Sequence, residues 1–223
     1  MKTRISLTII LLMSLTECFS QFIDNYGVST GLTYTNQLWY YSNSGTLNGS
    51  RNRGYKPGLE IFAMAEKELN RKFLVRSELG YLQKGFKNNV SLTSANGQII
   101  SYDHQNVLLN DVALDLKVKY KPFELRVIPY AVAGFRGDYT ISYRDINYSV
   151  AGSAGEYSLY GTVLHDMNRF NFGGLIGAGI ILNNRIWFEA CYNPSFTRSL
   201  KTSTLKIRDN CWELRVGFNI NRI

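Results

Sequence analysis

The stretch Val107-Leu108-Leu109-Asn110-Asp111-Val112-Ala113-Leu114-Asp115-Leu116-Lys117-Val118-Lys119-Tyr120 decides how the rest of the chain is read. Val112, Leu114, Leu116, Val118 and Tyr120 fall on one side of an extended backbone. Asp111, Ala113, Asp115, Lys117 and Lys119 fall on the other. Side chains alternate with period 2 along a strand, whereas a helix repeats its apolar residues at three- and four-residue spacings. The stretch is therefore a strand with one greasy and one charged face. Cys211–Asn221 repeats the pattern, with Trp212, Leu214, Val216, Phe218 and Ile220 set against Glu213, Arg215, Gly217, Asn219 and Asn221.

Six further segments alternate in the same way: Asn25–Gln37, Tyr55–Glu66, Lys72–Phe86, Leu125–Tyr139, Arg169–Leu182 and Arg185–Thr197. Most exceed the usual five or six residues of a strand and suit the roughly 9–11 that a tilted strand needs to cross a bilayer. Their connections alternate in length. Glu68–Arg71, Lys121–Glu124 and Asn183-Asn184 are short, and Asn-Asn suits a two-residue hairpin because Asn tolerates positive φ. Tyr41–Gly54, Lys87–Asn106, Thr140–Asn168 and Arg198–Arg208 are long and rich in Ser, Asn, Gly and Tyr. Short turns at one end and long loops at the other are the pattern of an outer-membrane barrel. The expectation is an all-β fold, an eight-stranded antiparallel up-and-down transmembrane β-barrel with both termini at the short-turn end.

Composition agrees. The 223 residues are 45% hydrophobic and 19% charged, enough apolar material to exclude wholesale disorder. Three cysteines exclude a disulfide framework. Lys2 and Arg4 precede the apolar run Ile5–Leu15, followed by Thr16-Glu17-Cys18-Phe19-Ser20-Gln21, which reads as a secretory signal peptide cleaved after Ser20. The organisation expected is residues 1–20 as signal peptide and 21–223 as barrel. Cys18 as a lipidated residue is disfavoured by the bulky Glu17 before it. Export disfavours nucleic-acid partners despite a net charge of +8.

In hydrocarbon the apolar faces must point outward, because a charge on the lipid face near the midplane costs about 2–4 kcal/mol. The inward set is then Glu60, Glu66, Arg76, Glu78, Lys84, Asp111, Asp115, Lys117, Lys119, Arg126, Arg136, Asp138, Glu189, Glu213 and Arg215. Both signs are nearly balanced, so mutual pairing is expected. Eight-stranded barrels have interiors that side chains fill, which argues against a wide pore. Aromatics near strand ends suggest interfacial girdles: Tyr26, Trp39, Tyr40, Tyr41, Tyr55, Phe73, Tyr81, Phe86, Tyr120, Tyr139, Phe170, Phe172, Tyr192, Phe196 and Trp212. Gly173, Gly174, Gly177 and Gly179 would relieve crowding. Cys191 and Cys211 both face inward. One register places them near each other, and a register shifted by two pairs Glu189 with Arg215 and leaves two free thiols; the second relieves the Glu189–Glu213 repulsion.

Several runs resemble a known family: Tyr55-Lys56-Pro57-Gly58-Leu59-Glu60-Ile61, Ser77-Glu78-Leu79-Gly80-Tyr81-Leu82-Gln83-Lys84-Gly85, Pro129-Tyr130-Ala131-Val132-Ala133-Gly134, Gly174-Leu175-Ile176-Gly177-Ala178-Gly179-Ile180 and Glu189-Ala190-Cys191-Tyr192-Asn193. The chain is similar in these to the PorT-type outer-membrane β-barrel domain family of Bacteroidetes. The resemblance implies an eight-stranded barrel in the outer membrane, with a namesake that assists type IX secretion. It carries no functional residue across. Arg222-Ile223 departs from it by breaking the terminal alternation that usually ends on an aromatic.

No catalytic, cofactor-binding or metal-binding residues are assigned. Asp103-His104 and His165-Asp166 read as polar loop tips, and no G-x-S-x-G, H-E-x-x-H or P-loop is present. Arg51, Arg53, Lys87, Lys201, Lys206 and Arg208 fall in or near the outer loops, where they could meet lipopolysaccharide phosphates. The function expected is a non-enzymatic outer-membrane component, structural or interacting, with secretion-system or other envelope proteins as further partners. A narrow solute channel, a loop-histidine hydrolase and a soluble lipocalin-like ligand binder are the alternatives. The last has the same period with the faces reversed.

Overall fold

The computed structural model describes residues 23–41, 49–88, 105–123, 125–149, 155–183 and 185–222. The strands are β1 (Asn25–Tyr41), β2 (Gly49–Asn52), β3 (Lys56–Glu68), β4 (Phe73–Lys87), β5 (Asn106–Tyr120), β6 (Val127–Arg144), β7 (Asn147–Ser149), β8 (Glu156–Ser158), β9 (Phe170–Leu182), β10 (Ile186–Pro194), β11 (Leu200–Lys201) and β12 (Leu205–Arg222). One short helix, α1, spans Gly161–His165. The eight long strands pair in the order β12-β10-β9-β6-β5-β4-β3-β1, and β1 pairs back with β12 to close the ring. Every pairing in the ring is antiparallel, and all but the closing one join long strands that follow one another along the chain.

The charged faces point in. Asp115, Lys119, Arg76 and Arg136 are wholly buried, while Leu114 is 47% exposed and Leu214 63%. That distribution excludes the soluble ligand-binder reading, which needs the apolar faces inside. Arg126 is a correction to the inward set: it is exposed, because β6 begins at Val127 and Arg126 belongs to the turn before it. Aromatic residues at both ends frame the apolar band. Tyr26 and Tyr34 on β1, and Phe73 and Tyr81 on β4, are each eight positions apart. At roughly 3.3 Å per residue and a tilt near 40°, that spacing gives a band about 20 Å tall. Trp39 and Phe86 are corrections to the girdle, since both turn inward and are buried.

Several strand ends differ from the sequence reading. β1 runs on to Tyr41, β6 to Arg144, and β12 starts at Leu205, so the wall continues well above the outer girdle. β10 is shorter than expected and stops at Pro194. The turn at Asn183 does take positive φ (50°), but the loop holds three residues. Arg185 donates its N–H to Leu182 O, and Ile186 is the residue paired with Leu182. Glycine earns its place where a bulky ring lies flat on the inner wall. A Cβ at Gly217 would sit 2.1 Å from the Trp187 ring, and one at Gly179 2.4 Å from Tyr130.

Candidate functional site

The lumen is the one place where these faces bring chemistry together, and it is built in tiers. Near the short-turn end, Glu66 on β3 faces Arg76 on β4 in register, and Nε of Arg76 donates to its carboxylate at 2.5 Å. Lys119 reaches the same carboxylate at 2.9 Å. Lys117 bridges Glu78 (2.8 Å) and Glu189 (2.9 Å), and the Tyr130 hydroxyl donates to Glu189 at 3.0 Å. The Arg76 guanidinium lies over the Trp187 ring, 3.9 Å from its centroid, a cation–π contact in a dry setting.

The middle tier rests on two arginines. Arg215 holds both Glu60 oxygens at 3.0 Å in a fork and reaches Glu78, Asp115 and Glu213. Arg136 holds Asp115 bidentately at 2.6 Å on both arms and also bonds Glu213. A planar guanidinium suits this sharing because its five donors match carboxylate geometry. Register explains how neighbours of like sign are tolerated. Glu78 lies opposite Asp115, and Arg215 reaches both from across the lumen while Arg76, Lys117 and Arg136 pair with them from the same or neighbouring strands. Glu189 lies opposite Arg215 and Cys191 opposite Glu213, the second of the two expected registers, with Cys191 and Cys211 both free and buried.

The third tier holds Lys84 with Asp138 (2.6 Å) and Asp111 (3.5 Å). Beside it Asp209 accepts from Gln37 Nε2 at 2.7 Å and from the Ser199 hydroxyl. Above this lies an apolar cap that sequence reasoning missed: Trp39, Phe86, Ile146, Tyr160, Leu164 and Ile207 are its centre. Its three rings meet edge to face at 5.2–5.6 Å, as their quadrupoles prefer. Asp145 carries the long loop inward by accepting the N–H of Ile146 (2.7 Å) and of Tyr160 (2.9 Å). Arg53 closes the cap, 4.1 Å above the Trp39 ring, with a hydrogen bond to the Tyr41 hydroxyl. Arg53 is therefore a correction to the set of outer-loop cations: it is buried. The only signal for this cap was the excess of loop aromatics, and nothing periodic links Ile146, Tyr160 and Leu164.

The arrangement is suited to holding charge still. Ion pairs and hydrogen bonds replace water around the buried charges, and breaking a pair would strand its partner. Among the described residues no group of three His, Cys, Asp or Glu could hold a metal ion. His165 is exposed at the end of α1, its Nδ1 3.1 Å from Asp166. His104 and residues 1–20, expected to be a signal peptide, lie outside the described residues. At the short-turn end Asp24 accepts the Glu68 backbone N–H at 2.7 Å and pairs with Lys67 at 3.0 Å. These contacts hold its carboxyl below the usual range, with the backbone bond the larger cause.

The family model described as an outer membrane protein beta-barrel domain matches residues 19–201. No curated protein matches the chain. Among solved structures it is similar to Ail, the attachment invasion locus protein of Yersinia pestis, at 13% identity and a TM-score of 0.41, covering 89% of this chain and 99% of that one. Neisserial surface protein A gives 14% and 0.41, over 87% and 97%. OprG from Pseudomonas aeruginosa gives 10% and 0.44, over 90% and 98%.

Proposed function

The chain belongs to the outer membrane protein β-barrel domain family, and from that premise we propose that it serves as a sealed, non-enzymatic barrel of the outer membrane. Its work would lie in what its outer wall and long-loop end touch: outer-membrane lipid, lipopolysaccharide, and envelope or secretion-system proteins. The PorT-like character of its strand motifs favours a secretion role, and residues 1–20 would be removed on export. The observation that carries the reading is the double closure of the lumen. The two arginine forks, Arg136 and Arg215, span its middle, and the Trp39–Phe86–Tyr160 cluster covers its outer mouth.

A narrow channel is the second reading, favoured by the polar interior. It requires an ion to pass charges that are already paired, and then to pass a dry aromatic cap. Recording from the purified protein in planar bilayers separates the two. No steady conductance is expected above the bare membrane. A stable channel whose current changes on Arg136→Ala would overturn the sealed barrel.

A further inference from the structure

The outer wall above the girdle is unevenly charged. β11 and β12 form a tight hairpin, pinned where Thr202 N–H donates to Leu205 O (2.9 Å) and Leu205 N–H to the Thr202 hydroxyl (2.9 Å). Leu200 pairs with Ile207, and both are buried in the cap. Strand alternation therefore turns Lys201 and Lys206, a directly opposed pair, to the outside. Arg208 follows two residues on and is exposed. Across the closing seam this face continues through Tyr40, paired with Lys206, and Leu38, paired with Arg208.

Two ammonium groups directly across a strand pair repel and cost stability. Among the described residues no side chain forms an ion pair or hydrogen bond with that of Lys201, Lys206 or Arg208, and no acid of the described residues shares the face. An anion lying between them converts that repulsion into attraction.

Height fixes what kind of anion. Trp212, packed at a tilt against Tyr192 with ring centroids 4.6 Å apart, marks the outer girdle on β12. Arg208 is four residues above it and Lys206 six. With roughly 3.3 Å per residue and a tilt near 40°, they stand about 10 and 15 Å above the indole. An indole of this kind sits at the membrane interface, and headgroup regions add only about 5–8 Å to each side of the hydrocarbon. The cations therefore stand above a phospholipid phosphate, level with a taller headgroup, and their long stems can reach down to its base.

We propose that Lys201, Lys206 and Arg208 form a binding face for the phosphorylated sugar headgroup of an outer-leaflet glycolipid. The proposal rests on the outer-membrane setting, with the long-loop end outward, and is independent of whether the lumen conducts. The full protein is placed in phosphatidylcholine liposomes and titrated with lipid A carrying two phosphates, or with its dephosphorylated form. The phosphorylated lipid should bind at least tenfold tighter, and Lys201→Glu/Lys206→Glu/Arg208→Glu should abolish that preference. Arg71→Glu/Lys72→Glu, at the opposite end, should leave it intact. Heat-dependent gel mobility reports whether each variant has folded, and Lys201→Gln/Lys206→Gln replaces the triple variant if that one does not.

Equal binding by the folded variant and the parent would overturn the proposal. So would inorganic phosphate competing at the affinity of the lipid, which would mean a site for free anions. Conductance measured in the same liposomes reports on the sealed lumen separately, so that failure of one leaves the other standing.

Discussion

Replacing Arg215 by Met tests whether the lumen is dry and held by its ion pairs. Both oxygens of Glu60 are bonded to Arg215, and among the described residues no other cation pairs with that carboxylate. Glu78 keeps Arg76 and Lys117, while Asp115 and Glu213 keep Arg136. The substitution thus strands one buried carboxylate and removes one of several partners from three more. Removing one member of a buried pair costs about 3–5 kcal/mol, or roughly two to nearly four decades in the unfolding equilibrium. Adding Glu60→Gln removes the stranded charge, so the double variant should regain most of the loss. The assay is urea unfolding in liposomes, read by the mobility of the unheated protein on a gel, with all four members of the cycle. A loss below about 1 kcal/mol for Arg215→Met would mean that water already solvates Glu60. A double variant no better than the single would equally refute the pairing argument.

Other outcomes follow from the same contacts. Gly217→Ala drives a methyl into the Trp187 ring, which is held in place by Arg76, so unfolding should ease by about 1–3 kcal/mol with a shift in tryptophan emission; an unchanged protein would show that the ring has room. Cys191 and Cys211 are buried and unbridged, so maleimide should label neither in the folded barrel and both after denaturation; prompt labelling of the folded protein would show an open lumen. The Asp24 carboxyl is held low by folding, so it adds stability above its unfolded value near pH 4, and that increment disappears as pH falls through the lower folded value. The pair is well exposed, so Asp24→Asn should cost under about 1 kcal/mol at pH 7 and progressively less as the medium is acidified below pH 4, by unfolding midpoints across that range.

The barrel was readable in the sequence because lipid enforces a strict rule. Each position between Tyr26 and Tyr34, or between Tyr120 and Val112, meets either hydrocarbon or the lumen, and the residue type records which. The Glu189–Arg215 register was readable for a similar reason, since charge conflict inside a small lumen leaves one workable pairing. The rule lapses above the girdle. There both faces meet polar surroundings or the cap, so Leu205–Arg208 reads as loop although it is strand. The cap was invisible because Ile146, Tyr160 and Leu164 are gathered by the hydrogen bonds of Asp145 rather than by any repeat. Extending the alternation two residues into a turn misplaces Arg126, and Asn183-Asn184 reads as a complete turn because Arg185 carries no turn signature of its own.

The join between β1 and β12 covers 17 residue pairs, Asn25–Tyr41 against partners from Arg222 to Leu205. Its two halves are made at opposite times in the life of the chain. The first ribbon emerges early and must wait, with a full row of amide and carbonyl groups unanswered, until the final one arrives. Hydrocarbon penalises every such unanswered group, so the sheet cannot enter the membrane piecemeal. Insertion is thereby tied to completion, and the cell must shelter that waiting ribbon in the interval.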